Sequence, residues 1–203
     1  MMNTDDTSTE LCKLAYKYGT DKCPQLKHTY TPFYYQLWKN KRDKVKKILE
    51  IGIGHYKGMP KARMTYDPGL RRYYHRGASL KMWRDFFPNA LVFGADIQPE
   101  TMFEGERIKT YLCNEREQED LLKLIKNAGS DIDIFIDDAS HHVDDQIFTC
   151  LTLMPLLGKG VTYIIEDAAW SRRLVSALSK YDCSVPSIVN QNASNQLVVV
   201  KHK

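Results

Sequence analysis

The sequence predicts one α/β domain: a mostly parallel sheet of seven strands with helices on both faces. Short apolar runs alternate along the chain with segments of helical periodicity, the pattern of strand–helix–strand units. Several of those runs end in glycine or in carboxylates, as strands do when a ligand edge lies beyond their carboxyl ends. The 203 residues, 43% hydrophobic and 27% charged, suffice for one buried core and not for two large ones.

The elements follow in order. Residues 8 to 44 are rich in aromatics (Tyr16, Tyr18, Tyr30, Phe33, Tyr34, Tyr35, Trp38) and read as a helical cap packed across the ligand edge. Lys46 to Ile53 is the first strand and closes on Gly52-Ile53-Gly54. The insert His55 to Arg76, with Pro60, Pro68 and tyrosines 56, 66, 73 and 74, has the length of a lid or binding loop. Ser79 to Phe87 is helical, with Leu80, Trp83 and Phe87 on one face. Leu91 to Ile97 and Arg107 to Cys113 are strands, and Asp96 ends the first of them. Glu115 to Ala128 carries Leu121, Leu122, Leu124 and Ile125 at helical spacing. Ile132 to Asp138 is a strand, Val143 to Leu157 is helical as far as Pro155, and Val161 to Asp167 is the fifth strand. A short helix, Ala168 to Ser179, precedes two last strands, Ser184 to Val189 and Gln196 to Lys201.

Composition excludes several partners. A net charge of +4 with no dense Lys/Arg stripe does not predict nucleic-acid binding. The cluster Lys39, Lys41, Arg42, Lys44, Lys46 and Lys47 reads as a solvated helix end. The five cysteines, Cys12, Cys23, Cys113, Cys150 and Cys183, form no CxxC pair and fit free thiols in a reducing cytosol. No apolar stretch is long enough to cross a bilayer, and Met1 to Glu10 lacks the apolar core of a signal peptide, so a cytoplasmic location is expected. The sequon Asn192-Ala193-Ser194 then has no glycosylation role.

The strand ends carry the chemistry. Glycine at Gly52-Ile53-Gly54 permits close backbone approach to a cofactor, although a tight structural turn would also need it. The GxGxxG spacing that cradles a pyrophosphate is missing, which disfavours a nicotinamide-dependent oxidoreductase. Asp96 stands where a carboxylate accepts both ribose hydroxyls of an adenosine. In Asp137-Asp138-Ala139-Ser140-His141-His142, two adjacent acids after apolar residues are not expected in a core, because buried unpaired charge costs several kcal/mol. Neighbouring strand ends lie about 5 Å apart. Asp138, Glu166 and Asp167 can therefore converge, and three hard oxygen ligands suit Mg²⁺ or Mn²⁺. The two histidines are either further ligands or solvated neighbours of a helix cap formed by Ser140 or Asp144.

In combination these residues resemble a known family. Tyr18-Gly19-Thr20-Asp21-Lys22, His28 and Tyr30, Ile48 to Gly54, Gly77-Ala78-Ser79-Leu80 with Trp83 and Phe87-Pro88-Asn89-Ala90, Gly94-Ala95-Asp96-Ile97, Asp137 to His141 and Ile165-Glu166-Asp167 are similar to the metal-dependent sugar O-methyltransferases. These include macrolide-sugar enzymes and the family named after cephalosporin hydroxylase. The resemblance covers nearly the whole chain and implies a Rossmann-like class I methyltransferase fold that binds S-adenosylmethionine. It implies that Asp138, Glu166 and Asp167 hold Mg²⁺ or Mn²⁺, that His141 is the general base, and that Asp96 binds the ribose. It implies further that Tyr18, Thr20, Glu50, Gly52, Ser79, Ile97, Asn114 and Asp137 line the cofactor. His28, Tyr30, His142 and Trp170 would face the acceptor. The chain departs from the family at Cys113-Asn114-Glu115, where Gly-Asp-Gln is common, and the insert is individual.

The expected reaction is methyl transfer to a sugar hydroxyl, with a deoxyhexose such as rhamnose in a glycoside as acceptor. An imidazole, with an ordinary pKa of about 6.5, takes the hydroxyl proton near neutral pH. A vicinal diol on a non-sugar scaffold is the alternative acceptor. A silent S-adenosylmethionine-binding module is disfavoured by the intact acids and His141. Similar domains occur inside larger glycan-building proteins, so fusion to other glycan-processing domains is one expectation and a homo-oligomer another.

Overall fold

The structure, a computed structural model, describes residues 6–54, 76–192 and 195–203. The expected insert lies outside the described residues apart from Arg76, as do Ala193 and Ser194 of the sequon.

Two helices come first. α1 (Glu10–Tyr18) begins where the Cys12 N–H donates to the Thr9 side chain at 3.1 Å, and stops at Gly19, whose φ of 76° is left-handed. α2 (Tyr30–Trp38) carries Pro32 in its first turn, where an N–H would have no intrahelical partner. Then follow β1 (Lys47–Ile51), α3 (Ala78–Phe86), β2 (Leu91–Asp96), β3 (Glu104–Gly105), β4 (Ile108–Leu112), α4 (Gln118–Ala128) and β5 (Ile134–Asp137). The chain ends with α5 (Val143–Leu153), β6 (Thr162–Ile165), α6 (Ser171–Ala177), β7 (Asp182–Ser184) and β8 (Val198–Lys201).

The strands form one sheet in the order β3-β4-β2-β1-β5-β6-β8-β7. The central strands, β4 to β6 across the sheet, are parallel neighbours, with Ile51 opposite both Ala95 and Asp137 and Asp137 opposite Ile165. The chain builds outward from β1 through β2 to β4, then restarts on the other side with β5 and β6. Such a switch point leaves a crevice at the carboxyl ends of β1 and β5.

Period-2 alternation sorts the strand residues between two cores. Ile48, Val92, Ile136 and Ile164 pack with Leu11, Tyr34, Trp38, Trp83 and Phe86 from α1, α2 and α3. Leu49, Ile51, Phe93, Phe135, Tyr163 and Ile165 pack with Leu121, Cys150, Leu153 and Leu174 from α4, α5 and α6. Both faces of the parallel sheet are thus covered.

Two strand expectations need correction. The sheet has eight strands rather than seven, because the two residues of β3 pair antiparallel with β4 without any apolar signature in the sequence. The strand expected at Ser184 to Val189 is instead β7 at Asp182–Ser184, since Pro186 has no N–H to donate to a ladder. All five cysteines are free. Among the described residues no helix is long and apolar enough to cross a membrane.

Candidate active site

The parallel register continues one residue past three strands. The Gly52 N–H donates to Ala95 O at 2.8 Å, Asp138 N–H to Ile51 O at 2.9 Å and Glu166 N–H to Asp137 O at 2.9 Å. Side chains that follow the strands therefore start from one level, and a cavity of about 500 Å³ opens there. That size lies within the range of small-molecule sites.

One half of the cavity is lined by the GxG loop with Ser79, Asp96, Ile97 and Asn114, and by Thr20 and Glu50. Asp96 is fixed at the mouth of the loop: its Oδ2 accepts the Ile53 N–H at 3.1 Å and its Oδ1 the Gln98 N–H at 2.9 Å. A Cβ on Gly52, at φ 86°, would come within 2.1 Å of the Asp138 carbonyl oxygen and 2.5 Å of Ala139 Cα. The turn after β5 thus requires this glycine whatever fills the cavity.

The other half holds Asp138, His141 and Asp167. The His141 ring lies between the two acids, Nε2 at 3.1 Å from Asp138 Oδ1 and Nδ1 at 3.2 Å from Asp167 Oδ2. One ligand atom from each of these residues falls within 4.8 Å of the others, so the donor set fits a divalent cation. His141 and Asp167 have φ of 60° and 47°, a left-handed conformation that non-glycine residues rarely adopt. Such positions cost about 1–3 kcal/mol each and cluster at functional sites.

Behind these residues lies Lys22, buried to 1% side-chain exposure. Its Nζ donates to Asp138 Oδ2 and to Glu166 Oε2, both at 2.5 Å, and stands 3.3 Å from Glu50 Oε1. Burial disfavours the ammonium, but Asp138, Glu166 and Glu50 outweigh it and hold the lysine pKa well above its ordinary value. For Asp138 burial pushes upward, yet Lys22 and His141 prevail and hold the carboxyl below the usual range. Glu166 is pushed up by burial and by neighbouring Asp138 and Glu50 against the pull of Lys22. Glu50 is likewise pushed up by burial, while the Trp83 Nε1–H donates to its Oε2 at 2.7 Å.

Of the residues expected in the site, several stand elsewhere. The Glu166 carboxylate is outside the cluster of three, since Tyr34 O–H takes its other oxygen at 2.7 Å. Tyr18 does not line the cavity, because its O–H donates to Asp85 Oδ2 at 2.5 Å. Asp137, expected against the cofactor and outside any core, is fully buried on the α4–α6 face, where the Tyr163 O–H donates to its Oδ2 at 3.0 Å. Burial and nearby Glu115 raise its pKa well above the carboxylate range, which favours the neutral acid and explains how the core tolerates it. His28 and Tyr30 are buried and stacked with ring centroids 4.8 Å apart. They stand behind Asp167, whose Oδ1 accepts the Tyr30 O–H at 2.8 Å, and do not line the cavity. His142 and Trp170 are exposed near the edge and outside its lining. The turn before α5 is tied by Ser140, whose Oγ accepts the His142 N–H at 3.2 Å and donates to Asp145 Oδ2 at 2.7 Å.

Sequence reasoning gave no role to Lys22 or Tyr34. Nothing in their local pattern marks a buried lysine or a tyrosine aimed at an acid. The available signal was the surplus of acids on one sheet edge, which demanded a cation from somewhere.

The fold with this ligand edge is that of a class I methyltransferase. No family model matches the chain. Over 158 residues it is 34% identical to the 8-demethyl-8-(2-methoxy-alpha-L-rhamnosyl)-tetracenomycin-C 3'-O-methyltransferase of Streptomyces olivaceus, covering 78% of this chain and 36% of that protein. It is 32% identical over 159 residues to the mycinamicin VI 2''-O-methyltransferase of Micromonospora griseorubida, with 78% and 36% coverage. The structure superposes on MycE methyltransferase from the mycinamycin biosynthetic pathway, crystallised with Mg and SAH, with a TM-score of 0.73 at 25% identity, over 95% of this chain and 54% of that one. Within the class, then, the chain is a relative of the sugar O-methyltransferases. It spans little more than a third of the length of those curated relatives, 36% in both cases.

Proposed function

We propose that this chain is the catalytic domain of an S-adenosylmethionine-dependent, divalent-metal-dependent O-methyltransferase acting on a sugar hydroxyl, a deoxyhexose such as rhamnose in a glycoside. The observation that carries this reading is one cavity holding both an adenosine-type half, Gly52 with Asp96, and the cluster Asp138, His141 and Asp167.

In this reading Asp96 accepts the ribose hydroxyls, and Thr20, Glu50, Gly52, Ser79, Ile97 and Asn114 line the rest of the cofactor. Asp138 and Asp167 would hold the cation, and Glu166, joined to Asp138 through Lys22, would be its third acid. When bound, S-adenosylmethionine supplies an electrophilic methyl group, and the cation lowers the pKa of an acceptor hydroxyl. His141 would accept the hydroxyl proton on the ring nitrogen whose carboxylate partner turns to the cation, and the carboxylate on the other nitrogen, now 3.1 or 3.2 Å away, would stabilise the imidazolium that results. Tyr30 and His28 keep Asp167 in place from behind. The exposed indole of Trp170 and the ring of His142 offer surface to the acceptor outside the cavity. The five free cysteines support a cytoplasmic location. A homo-oligomer, or fusion to other glycan-processing domains, belongs to the same reading.

The test is methyl transfer from labelled S-adenosylmethionine to a panel of rhamnosides and other glycosides, read by mass spectrometry. Transfer should need Mg²⁺ or Mn²⁺ and stop in excess chelator. Full turnover in chelator would remove the cation from the mechanism, and transfer only to non-sugar diols would remove the sugar.

A further inference from the structure

Lys22 engages oxygens of two of the acids proposed to hold the divalent ion. Its Nζ is 2.5 Å from Asp138 Oδ2 and from Glu166 Oε2, and 3.3 Å from Glu50 Oε1. Tyr34 takes Glu166 Oε1 at 2.7 Å, so both Glu166 oxygens are engaged away from His141. Asp138 is divided: Oδ2 faces the lysine, while Oδ1 faces His141 at 3.1 Å. An ion among Asp138, His141 and Asp167 would therefore share one carboxylate with an ammonium.

We propose that Lys22 is a resident competitor of the divalent ion, a positioning residue that engages oxygens of Asp138 and Glu166 and so weakens the ion's binding. The inference rests on the metal reading above. Two physical effects carry it. Like charges a few ångströms apart repel strongly even at an effective dielectric constant of about 20. A carboxylate engaged by a lysine is also one fewer anionic ligand, and ligand charge count is what tunes the affinity of oxygen-ligated ions. Lys22 also gives the buried acids a counter-charge when no ion is bound, since an acid cluster left uncompensated would be costly to fold.

Mn²⁺ titration, followed by the electron paramagnetic resonance signal of the free aquo ion, tests this on the purified chain. Lys22→Met should bind Mn²⁺ at least about tenfold more tightly than wild type. Lys22→Arg should stay near wild type, because it keeps the charge. The rise in melting temperature on adding Mn²⁺ should be larger for Lys22→Met, a readout independent of turnover. The same comparison in a Glu166→Gln background, which removes one of the acids the lysine neutralises, covers the case that Lys22→Met alone does not fold. If wild type binds Mn²⁺ and loss of Lys22 leaves affinity unchanged or weaker in either background, the competitor role is wrong while the metal site stands. Absence of Mn²⁺ binding in every protein overturns the metal site itself.

Discussion

His141 and His142 are adjacent, yet the structure gives them different surroundings. His141, in a left-handed conformation, turns its ring between Asp138 and Asp167, whereas His142 opens α5 on the surface. His141→Ala should lose about two to four orders of magnitude in kcat at saturating substrate, with His142→Ala much milder. A dead His142→Ala and an active His141→Ala would reverse the assignment. Asp96 offers a second test at this scale. Its two oxygens are already aimed at the GxG loop and the Gln98 turn, so it is pre-organised for charge-assisted hydrogen bonds. Calorimetry should show Asp96→Ala binding S-adenosylhomocysteine about tenfold more weakly or worse. Equal affinity would take Asp96 out of the site.

At the scale of a strand, β5 ends with one acid on each face of the sheet. Asp138 follows the strand and meets Lys22 and His141, while Asp137 points into the α4–α6 core beside Tyr163. Because Asp137 has a raised pKa in the folded protein, the sign of its pH linkage is opposite to that of a salt-bridged acid. Below the unfolded value of about 3.9 it is protonated in both states and contributes nothing. As pH rises above that value the unfolded chain releases the proton first, and the folded state loses stability until its own group ionises. Asp137→Asn keeps an acceptor for Tyr163 and cannot ionise. Urea denaturation should therefore show Asp137→Asn gaining stability relative to wild type between about pH 3.5 and pH 8. The difference between the two pH values cancels any constant effect of the amide. No change in that difference would mean that Asp137 is ionised in the core.

For the molecule as a whole, both helical layers lean on one sheet, and the cavity draws on β1, β2, β5, β6 and the segment after α1. A ligand there should stabilise the entire domain. S-adenosylhomocysteine at about a hundred times its dissociation constant should add about 2.7 kcal/mol and raise the melting temperature in a single transition. A partial, two-phase shift would show that the N-terminal helices melt independently.

The alternation of strands and helices was legible because β1, β2, β5 and β6 are mostly apolar runs closed by a glycine or an acid, as in Ile48 to Gly54. The tripartite cluster was half legible. Asp138 and Asp167 could be placed from strand register alone. The diversion of Glu166 could not, because it depends on Lys22 and Tyr34, distant in sequence and set by how α2 and the preceding loop pack on β1 and β6. Asp137 was misread because sequence shows an acid's identity but not its protonation. The position of His28 and Tyr30 behind Asp167 was not legible, because an aromatic stack behind an acid and one in front of it share a single sequence pattern.

The missing side chain of Gly52 has a consequence for tracing the lineage of such domains. Because the backbone of Asp138 and Ala139 fills the space a Cβ would need, packing alone requires a glycine here. A descendant that had lost its ligand and its chemistry would still retain Gly52, and with it much of the GxG signature. Pseudoenzymes in this group should therefore be recognisable not by erosion of the glycine loop but by drift at His141, which pairs only with acids of the site in the contacts described above.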